Sequence, residues 1–329
     1  MRTGPVTAEA SREDHATARP KFARRLRRGD QAAYLITFIF AATIILITVL
    51  LFFELYRQSA LARERFGLGF LVGTTWDAVA VQFGALPFIY GTLVTSALAL
   101  LIGVPLGIGA AIFLAELAPV RISDGLAFLI ELLAAVPSVI YGLLAIFTLV
   151  PLIRDYLAPV LRSTLGFLPL FQGPSYGVSI LAGGMVLAIM ILPFVISISR
   201  EVLMAVPREQ REASLALGAT QWETAWNVVV PYAKAGIIGS VFLALARALG
   251  ETMAVTMVIG NTPQISMSLF APGHSVAAVI ANEFTEATSN IYLSALIELG
   301  LVLFCITIIV NAVARLLILG MTRKGSAHA

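Results

Sequence analysis

VPREQREASLALGATQWETAWNVVVP, running from Val206 to Pro231, is polar and charged where both flanks are continuously apolar, and this contrast decides how the chain reads. A charged island between two runs long enough to cross a bilayer is a water-facing connection between membrane spans. Inside it, Arg208 to Leu217 favour helix, Gly218 suits the left-handed position that ends one, and Thr220 can cap a second helix. The expectation is a short helical hairpin lying outside the bilayer.

The composition agrees. Of 329 residues, 59% are hydrophobic and 12% charged, with a mean hydropathy of +0.91. A soluble domain carries about a quarter charged residues, so an all-α integral membrane protein is expected. The net charge of +3 does not point to nucleic acid, because the basic residues cluster beside apolar runs, where they mark topology. The single cysteine, Cys305, lies in an apolar run and reads as a small packing residue. No glycine-rich phosphate loop, no Ser/His/Asp order and no metal-ligand spacing occurs, so the chain is read as non-catalytic, with no cofactor of its own.

Working outward, six apolar runs are expected to span: Gln31–Phe53, Tyr90–Leu117, Gly125–Ile153, Gly177–Leu203, Ala233–Ile259 and Ile291–Leu319. The expected organisation is a basic, disordered tail over 1–31, a first transmembrane helix over 32–56, an outer loop over 57–87, a core domain over 88–320 with the charged loop at 206–231, and a tail over 321–329. The first run exceeds the length of a signal-peptide core and is read as a retained span. Both termini are placed in the cytoplasm, since the opposite segments hold only Arg57, Arg63, Arg65, Arg154 and Arg162. Pro105, Pro137 and Pro193 are expected to kink their helices, and Gly103, Gly107, Gly109, Gly183, Gly184, Gly236 and Gly239 to let helices approach closely. Ser275 to Thr285 reads as a short helix at or dipping into the membrane surface, and His274 beside it as a solvated residue.

Two charges inside the fifth run stand out. Arg247 lies about 22 Å along a helix counted from Tyr232, beyond mid-bilayer, where insertion costs on the order of 3 kcal/mol. Glu251, four residues on, is its expected partner on the same helix face. A guanidinium so placed matches phosphate-like oxygens as a fork of donors, which makes Arg247 and Glu251 the candidate substrate-pathway pair. Glu131 and Glu298 read as interhelix hydrogen-bonding groups.

The Val206–Pro231 loop resembles the EAA loop of ABC importer permeases: Glu212-Ala213-Ser214, three residues, Gly218, nine residues, then Val228-Val229-Val230-Pro231. Ser214 replaces an alanine of that pattern, and Val228 and Val230 replace Ile and Leu. Further stretches, including VPLGIGAAIFLAELAP from Val104, AAVPSVIYG from Ala134, RALGETMAVTMVIGN from Arg247 and SLFAPGHSVAAVIANEF from Ser268, resemble the PstC-type permeases of phosphate-specific importers. The resemblance implies a type I, MetI-like six-helix bundle in the bacterial inner membrane with a cytoplasmic coupling helix, importing inorganic phosphate. It implies a PstA-like second permease, a dimer of ATP-binding subunits that use the ATP and magnesium, and an external phosphate-binding protein. Glu212, Ala213, Ser214 and Gly218 would then contact the ATPase subunit, and Arg247 and Glu251 line the phosphate route. Importers of molybdate or sulfate are the nearest alternative; an ATPase-independent secondary transporter would have no use for the hairpin.

Overall fold

The computed structural model describes residues 21–325. The chain divides into two units, residues 1–53 and 54–329. Helices, in chain order, are α1 (Lys21–Gln58), α2 (Ala60–Phe66), α3 (Gly69–Val72), α4 (Leu86–Leu117), α5 (Val120–Ala134), α6 (Ser138–Leu165), α7 (Ile180–Met204), α8 (Arg208–Ala216), α9 (Gln221–Leu249), α10 (Met253–Val258), α11 (Val276–Glu283) and α12 (Asn290–Gly325). A two-residue hairpin pair, β1 (Trp76–Asp77) and β2 (Gln82–Phe83), lies between α3 and α4. Six of these helices contain stretches long and apolar enough to cross a membrane, beginning with Ala33–Gln58 of α1 and ending with Asn290–Val313 of α12.

The expected tail over 1–31 falls mostly outside the described residues, and its described part, Lys21 onward, is helical rather than disordered. At the other end the helix continues to Gly325, past the boundary expected at 320, and residues 326–329 lie outside the described part.

Two expected spans are broken, each for a local reason. The third is expected over Gly125–Ile153. Val136 precedes Pro137, which disfavours helix at that residue, so α5 ends at Ala134 and α6 restarts with Pro137 at its cap. At 15 residues, roughly 22 Å, α5 is too short to cross, and the span is Ser138–Leu165 instead. The fifth, expected over Ala233–Ile259, stops at Leu249 and restarts at Met253.

The prolines also leave a regular mark. Four turns widen to π geometry, Phe113–Leu117, Ala145–Leu149, Ile153–Leu157 and Ala225–Val229, and each is followed two residues later by Pro119, Pro151, Pro159 or Pro231. In every case the amide just before the proline donates five residues back. Proline brings no N–H and crowds the carbonyl four residues behind it; the wide turn removes the crowding and keeps the chain bonded.

The centre of the bundle is the α4–α7 pair. Gly103 meets Ile191, Gly107 meets Val195 and Gly184 meets Leu98, with no room for a Cβ at any of them, so the backbones approach closely. Gly236 of α9 is filled in the same way by Val202, whereas Gly109 and Gly239 face open space and serve no such contact. Buried Ala99, Leu187, Ile191, Val195, Ala244 and Ala248 join α4, α7 and α9 into one core.

Candidate functional site

The loop from Val206 to Pro231 folds as the expected hairpin. Pro207 starts α8, and Gly218 ends it at φ +89°, a conformation that L side chains rarely adopt. Thr220 opens α9 with a full capping box: its Oγ1 accepts from the Glu223 amide, while the Glu223 carboxylate accepts from the Thr220 amide at 2.8 Å. Glu212, Ala213 and Gly218 are exposed, as are Leu215 and Leu217, the latter at 90%. Ser214 is turned the other way, its hydroxyl 3.0 Å from that of Thr224, where it ties α8 to α9. Trp222 and Trp226 stack at 6.0 Å with their outer faces exposed, the kind of amphipathic aromatic pair that settles at a membrane boundary.

What fixes the hairpin to the bundle is a residue that no motif in the sequence singles out. The Arg211 guanidinium donates to both Glu116 carboxylate oxygens, at 2.7 and 3.0 Å, to the Leu203 carbonyl at 2.7 Å and to the Val206 carbonyl at 2.5 Å. Glu116 lies in the wide turn that ends α4, and its side chain is only 8% exposed. One side chain thus joins α8, the end of α7 and the end of α4.

At the far end of α9, Arg247 occupies the last helical turn, where free carbonyls favour a cation. Its guanidinium carbon sits 4.3 Å from the centroid of the Phe194 ring on α7. Its buried Nε has no hydrogen-bond partner. The expected ion pair with Glu251 is not formed. Gly250 is a poor helix former, so the chain breaks there and the two residues are not four apart on one helix. Glu251 instead accepts from the Ala254 amide at 3.2 Å, holding the first turn of α10. A Gly followed by Glu-Thr was a stop-and-restart signal that the apolar surroundings obscured. Gly142 of α6 then lets α10 approach, since a Cβ there would meet Met257 and the Ala254 backbone.

On the face away from the hairpin, the long connections are structured. After α10 the chain turns at Gly260 and Asn261 and runs back along α7, whose first amides it satisfies: Ile180 donates to the Ala271 carbonyl and Leu181 to that of Leu269, while the Ser179 hydroxyl accepts from Ala182. Ser275 caps α11, the short helix expected there. Trp76, Phe83, Phe88 and Tyr292 form an aromatic cluster, and the Glu283 carboxylate accepts from Trp76 at 2.8 Å and Tyr292 at 2.6 Å.

His274 is not solvated: it is 3% exposed, edge-on to Phe88, because its backbone packs directly on Gly91 of α4. Burial pushes its pKa from 6.5 down to about 4. The unfolded chain takes up a proton near pH 6.5 and the folded chain resists until about pH 4, so stability falls as pH drops through that window, by up to about 3 kcal/mol. Thermal unfolding of the purified complex between pH 7.5 and 5 should show this decline, and His274→Gln should flatten it. An unchanged slope in the variant would mean that other groups carry the dependence.

Among the described residues no group of His, Cys, Asp and Glu could hold a metal ion.

A family described as binding-protein-dependent transport system inner membrane component matches residues 103–323. The phosphate transport system permease protein PstC of Xylella fastidiosa (strain 9a5c) is 50% identical over 262 residues, covering 78% of this chain and 81% of that one. The protein of the same name from Mesorhizobium japonicum is 47% identical over 293 residues, covering 87% and 90%. Among solved structures, the chain resembles a subunit of a bacterial alginate ABC transporter with a TM-score of 0.56 at 16% identity, covering 88% of this chain and 96% of that one. A subunit of the MetNI methionine ABC transporter in an inward-facing conformation gives 0.50 at 14% identity, covering 71% and 96%. At those identities the likeness is one of fold.

Proposed function

Because the chain belongs to the binding-protein-dependent transport system inner membrane components, and among them to the PstC phosphate permeases, it is a membrane-spanning subunit of a phosphate ABC importer, and from that premise we propose how its residues share the work. Arg247 is the phosphate contact. The observation that carries this is a permanently charged guanidinium, held by a ring face and a helix end with no carboxylate against it and with a buried N–H still unpaired. The break at Gly250 supports the reading, since interrupted helices persist where they are buried in protein or line a cavity, and Gly250 is exposed. Glu251 acts at one remove, setting the position of α10 beside the route.

The hairpin is the coupling element. Glu212, Ala213 and Gly218, with exposed Leu215 and Leu217, form the surface for an ATP-binding subunit, two copies of which hydrolyse ATP with magnesium; Ser214 holds the hairpin together from inside. A PstA-like permease completes the channel, and an external phosphate-binding protein delivers to the opposite face. Both termini and the hairpin are cytoplasmic, in the inner membrane, as the distribution of Lys and Arg supports.

The anion is tested by uptake of labelled phosphate into cells whose importer contains this chain, with sulfate and molybdate in parallel. Uptake of phosphate alone is expected, and uptake of another oxyanion instead would reassign the cargo. Topology and docking are tested together with Ala213→Cys in a Cys305→Ser background. A membrane-impermeant maleimide should label Cys-substituted position 213 only from the cytoplasmic side, and addition of the ATP-binding subunit should suppress labelling about tenfold. Labelling from outside would invert the topology.

A further inference from the structure

Away from both the phosphate route and the hairpin, a cleft of about 610 Å³ opens beside α12, lined almost wholly by apolar side chains such as Leu68, Ile89 and Ile309. Two charged residues line it. Glu298 is 5% exposed, and its Oε2 has no hydrogen-bond partner. Arg63 of α2 commits some of its donors to the Tyr56 carbonyl and the Ser59 hydroxyl while its guanidinium lies 3.6 Å over the Tyr56 ring. No ion pair joins the two.

A carboxylate oxygen buried without a donor is costly, and an apolar surface laid over the cleft would leave it so. The requirement is for a ligand that brings an N–H cation to Glu298, an anion to Arg63 and hydrocarbon to the rest. The dimensions narrow it further. From Glu298 to Ile309 is eleven residues of helix, roughly 16 Å, long enough to seat most of an acyl chain. Glu298 itself is eight residues, about 12 Å, inside the end of the span at Asn290, below the headgroup layer, where a buried carboxylate most needs a partner that reaches down to it.

We propose that this cleft is a binding site for an aminophospholipid of the leaflet facing away from the hairpin, its phosphate on Arg63, its ammonium on Glu298 and an acyl chain along α12 past Cys305 to Ile309. Ethanolamine headgroups carry N–H donors for Glu298; choline headgroups carry none, and glycerol headgroups bring no cation. The site therefore distinguishes lipids of the same hydrocarbon by their headgroups.

The test uses the intact transporter complex, delipidated in detergent and supplied with dioleoyl phosphatidylethanolamine, phosphatidylcholine or phosphatidylglycerol, with retained lipids counted by native mass spectrometry. Phosphatidylethanolamine should be retained about tenfold over phosphatidylcholine, equivalent to one strong charge-assisted contact. Glu298→Gln should reduce that preference to about twofold, and Arg63→Gln should weaken retention of all three lipids. Equal retention of all three by the unaltered complex, or an unchanged preference in Glu298→Gln, would overturn the proposal. Should the variants fail to assemble, the native chain still decides: Cys305, its single cysteine, lines the cleft and takes benzophenone maleimide. Illumination in native membranes should attach phosphatidylethanolamine to the Cys305 peptide. A cross-link to a helix of another subunit, or no lipid adduct at all, would show that the cleft is not a lipid site.

Discussion

Cells carrying Arg247→Gln should take up labelled phosphate about a hundredfold more slowly than those with the unaltered importer, while the complex assembles in normal amounts. The size follows from the contact. A charge-assisted pair between guanidinium and phosphate, shielded from water, contributes on the order of 3 kcal/mol, and glutamine offers a neutral donor in place of a cation. The sign of the accompanying stability change is what separates this role from a structural one. Arg247 has no carboxylate partner to orphan, and glutamine removes a charge that is costly to hold beside apolar surroundings at the end of the span. The variant complex should therefore unfold at the same temperature or higher. Lost uptake together with a lowered unfolding temperature would mark Arg247 as a structural residue. Unchanged uptake would take it off the phosphate route altogether. Glu251→Gln should do less, since an amide oxygen can still accept from the Ala254 amide.

The second large effect is expected at Glu116, which a search for substrate contacts would not select. In Glu116→Ala the Arg211 guanidinium keeps its two carbonyl acceptors and loses its carboxylate, which at a site with exposures of 20% and 8% costs roughly 3–5 kcal/mol. That strain falls on the joint between the hairpin and the ends of α4 and α7. ATP hydrolysis by the partner subunits should continue, while phosphate moved per ATP falls about tenfold or more. Reconstituted vesicles measure both quantities at once. Parallel loss of hydrolysis and uptake, with their ratio unchanged, would show that the pair only supports assembly. Glu116→Gln, which keeps an acceptor, should lie between.

Much of this architecture was open to a reader of the chain, and the remainder was hidden for identifiable reasons. The hairpin was legible down to single residues because its punctuation is local: Gly218 takes a conformation few other residues can, and Thr220 and Glu223 satisfy each other across one turn. Arg247 was legible because charge inside an apolar run is conspicuous. The break at Gly250 was hidden by the same apolar run, which suggested a continuous helix and so a partner for Arg247 that the fold does not supply. His274 and Glu116 depend on contacts distant in sequence, with Gly91 and Arg211, and no local pattern announces them. Pro137 was expected to bend a helix and in fact ends one, because Val136 before it also leaves the helical region.

The four widened turns set the phase of the transporter. Each contains one residue more than an α-helical turn needs, and one residue on an α-helix is a rotation of about 100°. The Ala225–Val229 turn stands between the hairpin and everything α9 presents further on, so the azimuth at which Arg247 meets Phe194 is set at Pro231, more than a dozen residues away. Deleting a single residue there would leave an uninterrupted apolar span that still inserts, with its arginine turned by about a quarter of a circle from the ring that holds it.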